Sequence, residues 1–311
     1  MFALHDLISL GNFRVMPNPI LTLVLSASSL LLVTSVSSET LPFTIPTPVE
    51  SVFVSPNVPD ALDLAGEIVP INGFGVKESL DKELIVNTYR HSSTIMYLKR
   101  ASRWFPIIED ILKEEGVPND FKYLAVIESG LSQGSSPAGA SGFWQFMKKT
   151  APEYGLEVSH TVDERYDVEK STRAACEYLK ESYIRFGSWS LAAASYNMGQ
   201  YGVEKRLEEQ RVDNYWDLHL NTETGRYVYR MLAIKEVMNS PEKYGFIIPF
   251  DNLYSPHEVR EITVSTDISN LNDFALENGS NLKELKALNP WLRKGYLSVK
   301  PGKTYSISLP K

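Results

Sequence analysis

The sequence predicts a mainly α-helical domain followed by a small α+β module, and three observations carry that reading. Apolar residues recur at helical spacing in successive stretches between Val76 and Asn239. Before residue 245 no segment alternates convincingly between apolar and polar residues. After residue 254 the pattern changes, with Glu261–Ser265 and Tyr305–Leu309 alternating as strands do around two short helical patterns.

The chain has 311 residues, enough for one sizeable domain plus appendages. Its apolar content of 43% and charged content of 22% are ordinary for a globular protein. The formal charge of −7 argues against nucleic acid or an anionic membrane surface as a partner. The single cysteine, Cys176, excludes an internal disulfide and a cysteine-based metal site, and its helical surroundings predict a small buried residue. The five histidines stand at no ligand spacing, so neither a metal site nor a cofactor is expected.

Residues 1–38 read as a targeting segment. Arg14 precedes a run from Ile20 to Val36 of apolar residues, Ser and Thr, and Ser35-Val36-Ser37 offers a small-x-small cleavage site. The run is also near the lower limit for an uncleaved membrane anchor, so both readings stand, and both imply export to the periplasm or cell envelope. No cysteine follows the run to carry a lipid. Residues 39–75 hold six prolines (42, 46, 48, 56, 59 and 70) and are read as a linker or leader. Helical periodicity then begins, through Leu80, Leu84, Ile85 and Tyr89, and through Ile95, Leu98, Trp104, Ile107, Ile108, Ile111 and Leu112. Pro106 is expected in a first turn. The domain is bounded at 76–250, with its core at 100–245.

The stretch from Glu128 to Thr150 carries the chemistry. A buried helix over Phe121–Ile127, capped by Asn119 or Asp120, ends at Gly130, which is free to take positive φ. Glu128 therefore falls in the last helical turn, where unpaired carbonyls and partial burial both raise a carboxyl pKa. A carboxylic acid still protonated near neutral pH is the proton donor that cleavage of a glycosidic bond needs. The turn formers crowded between Ser132 and Gly142 predict a loop, which delivers Trp144 and Gln145 beside the acid. Read alone, the same stretch is equally a capped helix, a turn and a core tryptophan.

Beyond the loop, Asp167 is placed to cap a helix running to about Phe186, and Ser188 to cap the next, which stops at Gly199. Three consecutive alanines in that helix allow a neighbour to approach closely, and it ends in the polar tips of Tyr196 and Asn197. A last long helix from about Glu223 to Asn239 stops at Pro241.

Four motifs in order resemble those of the soluble-lytic-transglycosylase family: Glu128-Ser129; Ser136 to Met147 (SPAGASGFWQFM); Ala194 to Gly199 (ASYNMG); and Glu223 to Val228 (ETGRYV). Trp144 before Gln145 and the segment Val162-Asp163-Glu164-Arg165 are similar to a membrane-bound subgroup. The resemblance covers about residues 100–245 and implies a goose-lysozyme-like helical domain with a peptidoglycan groove. It implies that Glu128 is the sole acid/base, that Trp144, Gln145 and Met147 line the groove, and that Tyr196 and Asn197 contact the N-acetylmuramyl sugar. It further implies that Glu223 and Tyr227 line the far side, with the tyrosine positioning the acid, and that Ser136 orients the reacting hydroxyl. Met198, Ser195 and Lys148-Lys149 depart from the usual family residues, none of them at the proton donor.

A hydrolytic lysozyme needs a second carboxylate. Asp163, Glu164, Asp167 and Glu223 are the candidates; capping or ion pairing suits the first three better, while Glu223 opens a helix that stabilises it as an anion. One acid suffices if the muramyl C6 hydroxyl is the nucleophile, giving a 1,6-anhydro product. The readings are thus a peptidoglycan lyase, a hydrolase on the same polymer, or a non-catalytic wall-binding scaffold.

In the tail, Asn278–Pro290 followed by Lys300-Pro301-Gly302 resembles a LysM repeat, a βααβ module that binds N-acetylglucosamine chains. The usual Gly-Asp-Thr-Leu is replaced by Ser265-Thr266-Asp267-Ile268. Residues 254–311 are expected to retain the protein on insoluble wall while being dispensable for activity on soluble glycan; the alternative is a domain that packs on the helices and binds nothing.

Overall fold

A computed structural model describes residues 54–311; the apolar run at Ile20–Val36 and the proline-rich stretch up to residue 53 lie outside them. Among the described residues, 54–75 are not a linker. Asp63–Leu64 (β1) and Glu67–Ile68 (β2) form an antiparallel hairpin. Its turn residues Ala65 and Gly66 both have positive φ, 55° and 83°, as a two-residue hairpin turn requires. Leu64, Val69 and Ile71 are buried in the main core, which is why this proline-bearing stretch stays in place. The backbone N–H of Ala65 donates to Asp120 at 2.7 Å.

Two helices follow, α1 (Val76–Tyr89) and α2 (His91–Glu114). Pro106 stands inside α2 rather than in a first turn. Ala101 before it and Ile108, Ile111 and Leu112 after it bury in one core, and that packing carries the helix past a missing N–H. A single 3₁₀ turn at Asn119–Phe121 leads into α3 (Lys122–Ser129). Neither Asn119 nor Asp120 caps it: Asp120 instead accepts from Ala65 and from Lys235, the latter at 2.7 Å. Gly130 ends α3 at φ 61° as expected.

Asp167 caps α4 (Val168–Phe186) by accepting from Lys170 N–H, and Ser188 caps α5 (Trp189–Met198) by accepting from Leu191 N–H. Cys176 is buried in α4, and burial pushes its thiol up to about 12. Between α5 and α7 lies α6 (Gln200–Gln210), which the sequence reading passed over because only Val203 is fully buried along it. The last long helix, α7 (Thr222–Asn239), begins at an Asn221 cap. The alanines Ala192–Ala194 are fully buried, and their small size lets α5 pack against α4, α6 and α7 together. Helix α3 lies against α7, with Tyr123 Oη donating to Asn239 at 2.5 Å.

The tail folds as expected: β3 (Val259–Val264), α8 (Leu271–Glu277), α9 (Leu282–Leu288) and β4 (Tyr305–Pro310). The strands pair antiparallel with Ile262 opposite Ile307. Its small core of Leu271, Leu285, Trp291, Leu292, Tyr305 and Ile307 is completed by Val162 and Tyr166 from the helical part, so the module and the 157–166 segment are packed as one. No helix among the described residues is long and apolar enough to cross a membrane.

Glu67 ties the hairpin to α5. Its carboxylate accepts from the N–H groups of Trp189 and Ser190 and from the hydroxyls of Ser188 and Ser190, and so satisfies the first donors of that helix. Hydrogen bonds to a charged group are worth about 1.5–3 kcal/mol each, of which part returns to water, so Glu67→Ala should cost about 2 kcal/mol. In a domain of this size that is a fall of roughly 4–8 °C in the unfolding midpoint, readable by circular dichroism.

Candidate active site

Glu128 occupies the last turn of α3, at a cleft of about 450 Å³ whose walls include Ser92, Met96, Tyr97 and Arg100 of α2. The packing behind this turn is specific. Arg100 donates to Gly130 O at 2.9 Å, and a Cβ at Gly130 would sit 2.6 Å from the Tyr97 ring. Gly130 is thus required both by its positive φ and by the ring laid against it. Tyr97 and Arg100, missed by the sequence reading, share one face of α2 at i, i+3 spacing. A second cavity of about 400 Å³ shares Tyr97 and Ile127 and continues along α7 past Asn87, Arg90, Glu223 and Arg230.

Tyr227 from α7 donates its hydroxyl to Glu128 Oε1. The ring is buried, so the acid has one fixed hydrogen-bonding partner on its inner side. Burial raises the Glu128 pKa; the Tyr227 bond and the Arg230 charge oppose the rise, and Glu223 adds to it. Burial and the neighbouring Glu128 carboxyl together push the Tyr227 phenol well above its ordinary range. Arg230 donates to Ile127 O at 2.8 Å, which anchors the charge one residue from the acid. It lies three residues beyond Tyr227, and that i, i+3 spacing was the signal that could have found it.

Tyr196 and Asn197 reach the same region from the end of α5. The Tyr196 hydroxyl donates to Trp144 O at 2.8 Å, and the Glu128 charge contributes to its raised pKa behind the larger effect of burial. Asn197 donates to Glu223 Oε1 at 3.1 Å and accepts from Thr224 at 2.8 Å. Glu128, Tyr196, Asn197, Glu223 and Tyr227 are therefore linked by hydrogen bonds or direct electrostatic influence.

The loop residues are sorted differently. Trp144 does not line the cleft: it is 0% exposed and donates its indole N–H to Thr172 at 2.8 Å. The reason is the turn at Gly142 (φ 79°), which sends Phe143 and Trp144 inward, with Phe143 meeting Trp104 edge-on at 5.1 Å. Gln145, at φ 48°, donates its amide back to Gly142 O at 2.7 Å and closes the turn. Ser136 is half-buried and accepts from Ala140 N–H, and Met147 is 44% exposed.

Beneath the loop, Arg165 donates to Gly139 O at 2.9 Å and to Phe146 O at 3.1 Å, while paired to Asp163 through two bonds. A Cβ at Gly142 would lie 1.7 Å from Arg165 O, so this approach admits glycine alone. The other candidate carboxylates have structural roles. Glu164 pairs with Lys170 at 2.6 Å and accepts from Glu157 N–H, and Asp167 caps α4. Glu223 is exposed at the start of α7.

Because Trp144 is a core residue with a satisfied N–H, Trp144→Ala should cost about 3–5 kcal/mol, the range for a large aromatic truncated in a core. Thermal denaturation followed by circular dichroism checks this. An unchanged midpoint would return Trp144 to the cleft.

Comparison with known proteins finds similar families for both parts of the chain. Residues 105–218 match the family described as Transglycosylase SLT domain, and residues 260–311 match the Soluble lytic transglycosylase C-terminal LysM-like domain. Membrane-bound lytic murein transglycosylase D of Escherichia coli, strains K12 and O6:H1, is 27% identical over 242 residues, covering 76% of this chain and 52% of each relative. The chain thus spans about half the length of these relatives. The X-ray structure of an inactive mutant of lytic transglycosylase Slt from Pseudomonas aeruginosa aligns with a TM-score of 0.38 and 22% identity, covering 49% of this chain and 26% of that one. The chain is therefore similar, in order along its length, to a transglycosylase SLT domain and to a soluble lytic transglycosylase C-terminal LysM-like domain.

Proposed function

We propose that the protein is a peptidoglycan lytic transglycosylase of the cell envelope, cleaving the β-1,4 bond between N-acetylmuramyl and N-acetylglucosamine residues without water. The observation that carries the reading is Glu128, a carboxyl with a raised pKa at the floor of an open cleft, fixed by one buried tyrosine hydroxyl. The SLT-domain match and the similarity to the lytic murein transglycosylases support the substrate class.

In the first half of the reaction Glu128, protonated, donates to the glycosidic oxygen as the bond to the muramyl C1 breaks. The substrate acetamido group stabilises the sugar cation. In the second half the C6 hydroxyl oxygen bonds to C1 and its proton passes to the Glu128 carboxylate, which restores the acid. Tyr227 keeps a hydrogen bond to the carboxyl through both halves, and Arg230 favours the anion formed between them. Ser136, Gln145, Met147, Tyr196, Asn197 and Glu223 bind and orient the glycan, whereas Trp144 acts from the core by holding the loop.

A hydrolytic reading has Glu223 as its candidate second carboxylate, since its charge is felt at Glu128. Its bond from Asn197 and its place at a helix start suit an anion that orients substrate. The lyase reading needs one acid only and is favoured.

Glu128→Gln keeps the shape and removes the proton. General acid–base catalysis contributes about 10²–10⁴-fold, and one residue here serves as both acid and base, so the loss should reach or exceed the upper end with glycan binding retained. Turbidity of purified sacculi and glycan-binding titration check the two parts. Substantial remaining activity would move the acid elsewhere.

The same variant should be more stable than the wild type at neutral pH. A carboxyl whose pKa is raised by folding contributes fully below the unfolded value of about 4.3, and stability falls as pH rises through the folded value. Glu128→Gln lacks that loss, so its advantage in unfolding midpoint should be present at pH 7 and vanish below pH ~4. Midpoints measured across pH decide this.

A further inference from the structure

The C-terminal module is seated on the segment that holds the substrate loop. Asp163 N–H donates to Trp291 O at 2.9 Å, Arg293 N–H donates to Thr161 O at 2.8 Å, and Val162 and Leu292 form an antiparallel bridge between them. The Arg293 guanidinium lies over the Tyr166 ring, 4.1 Å from its centre. Lys303 and the Tyr305 hydroxyl both bind Glu157, whose carboxyl is held down at about 2 against the effect of its burial.

From the other side of the same segment, four hydrogen bonds run to the loop. The Tyr166 hydroxyl bonds Ser135 Oγ at 2.6 Å, next to Ser136, and Ser135 bonds Ser141 at 2.9 Å. Gln133 donates its amide to Tyr166 O at 2.8 Å. Arg165, held by Asp163, donates to the carbonyls of Gly139 and Phe146. The residue that takes the module's arginine on its ring face is thus the one that fastens the loop through its hydroxyl.

We infer that Arg293, through Tyr166, is a positioning residue for the loop that carries Ser136 and Gln145, so that the module is part of the catalytic unit and not a detachable wall-binding appendage. This rests on the glycan-cleaving function proposed for the loop, but the coupling itself can be read without any turnover. It also reverses the expectation that residues 254–311 are dispensable for activity on soluble glycan. Removing the module would expose Val162 and Tyr166 and withdraw backbone partners from Thr161 and Asp163.

The test uses the full chain and single side chains. Arg293→Ala leaves the Arg293 N–H bond to Thr161 in place and removes the cation over the ring together with the guanidinium's bond to Pro290 O inside the module, which the Tyr166→Leu background separates from the ring contact. A cation over an aromatic face is worth a few-fold in local equilibrium, so amide exchange across residues 133–146 should rise about three- to five-fold while α4 and α7 keep wild-type protection. The loop amides that report are those of Ser136, Ser141 and Gly142, bonded to Ala140 O, Phe146 O and Gly134 O. On soluble glycan, kcat/KM should fall by a similar factor, and Arg293→Lys, which keeps a cation there, should recover most of both effects. In a Tyr166→Leu background, which lacks the ring, Arg293→Ala should add nothing.

Loop exchange equal to wild type in Arg293→Ala would overturn the inference, as would a loosened loop with unchanged kcat/KM. Equal losses from Arg293→Ala with and without the Tyr166 ring would also overturn it, since the effect would then bypass Tyr166. If the wild type cleaves no glycan at all, the proposed function fails separately, and the exchange measurement still decides whether the module holds the loop.

Discussion

One constraint organises the molecule: a carboxyl must be kept out of water and still meet a solvent-open cleft. Tyr227 makes this possible. Its buried hydroxyl gives Glu128 a hydrogen bond that is available in both protonation states, so burial can raise the pKa without leaving the carboxyl unpartnered. The demand then spreads outward. Tyr227 has to be buried, which requires α7 against α3, and α7 in turn is packed by α1 and by the alanine face of α5. At the end of α3 only glycine at position 130 admits both the left-handed turn and the Tyr97 ring.

The loop after Glu128 solves a second problem, holding exposed polar residues in place without regular structure. It does so by turning its largest side chains inward. Phe143 and Trp144 are buried, and the backbone they fix accepts the Tyr196 hydroxyl and the Arg165 guanidinium. Arg165 is buried with Asp163, and a buried charge pair is held by further hydrogen bonds or not at all; here those bonds go to loop carbonyls. The 161–166 segment is consequently shared, serving the loop on one side and the C-terminal module on the other.

Helix ends were the most legible part of the fold, because Asp167, Ser188, Gly130 and Gly199 act locally and say so in their chemistry. Glu128, Tyr227, Tyr196 and Asn197 were read as a set only through the resemblance of four different motifs to one family, and the fold brings them to one region. Trp144 was misplaced, since an aromatic beside an acid reads alike whether it points to sugar or to core, and only the Gly142 turn decides. Pro106 and residues 54–75 were misread for a related reason: tertiary packing of Ile108, Leu64 and Val69 outweighed the local meaning of proline. Arg230 left only its i, i+3 spacing from Tyr227 as a sign, and the Arg293–Tyr166 contact left none, because a partner brought in by folding leaves no mark at either position. The apolar run at Ile20–Val36 lies outside the described residues and remains an expectation of export.

In the proposed reaction Glu128 acts alone and the substrate supplies the nucleophile. The masses of the fragments released from purified sacculi by the wild-type protein test it most directly. The expected products carry 1,6-anhydromuramyl ends, each one water lighter than a hydrolysed end; reducing muramyl ends as the main product would rule out the single-acid reaction and make Glu223 a catalytic carboxylate.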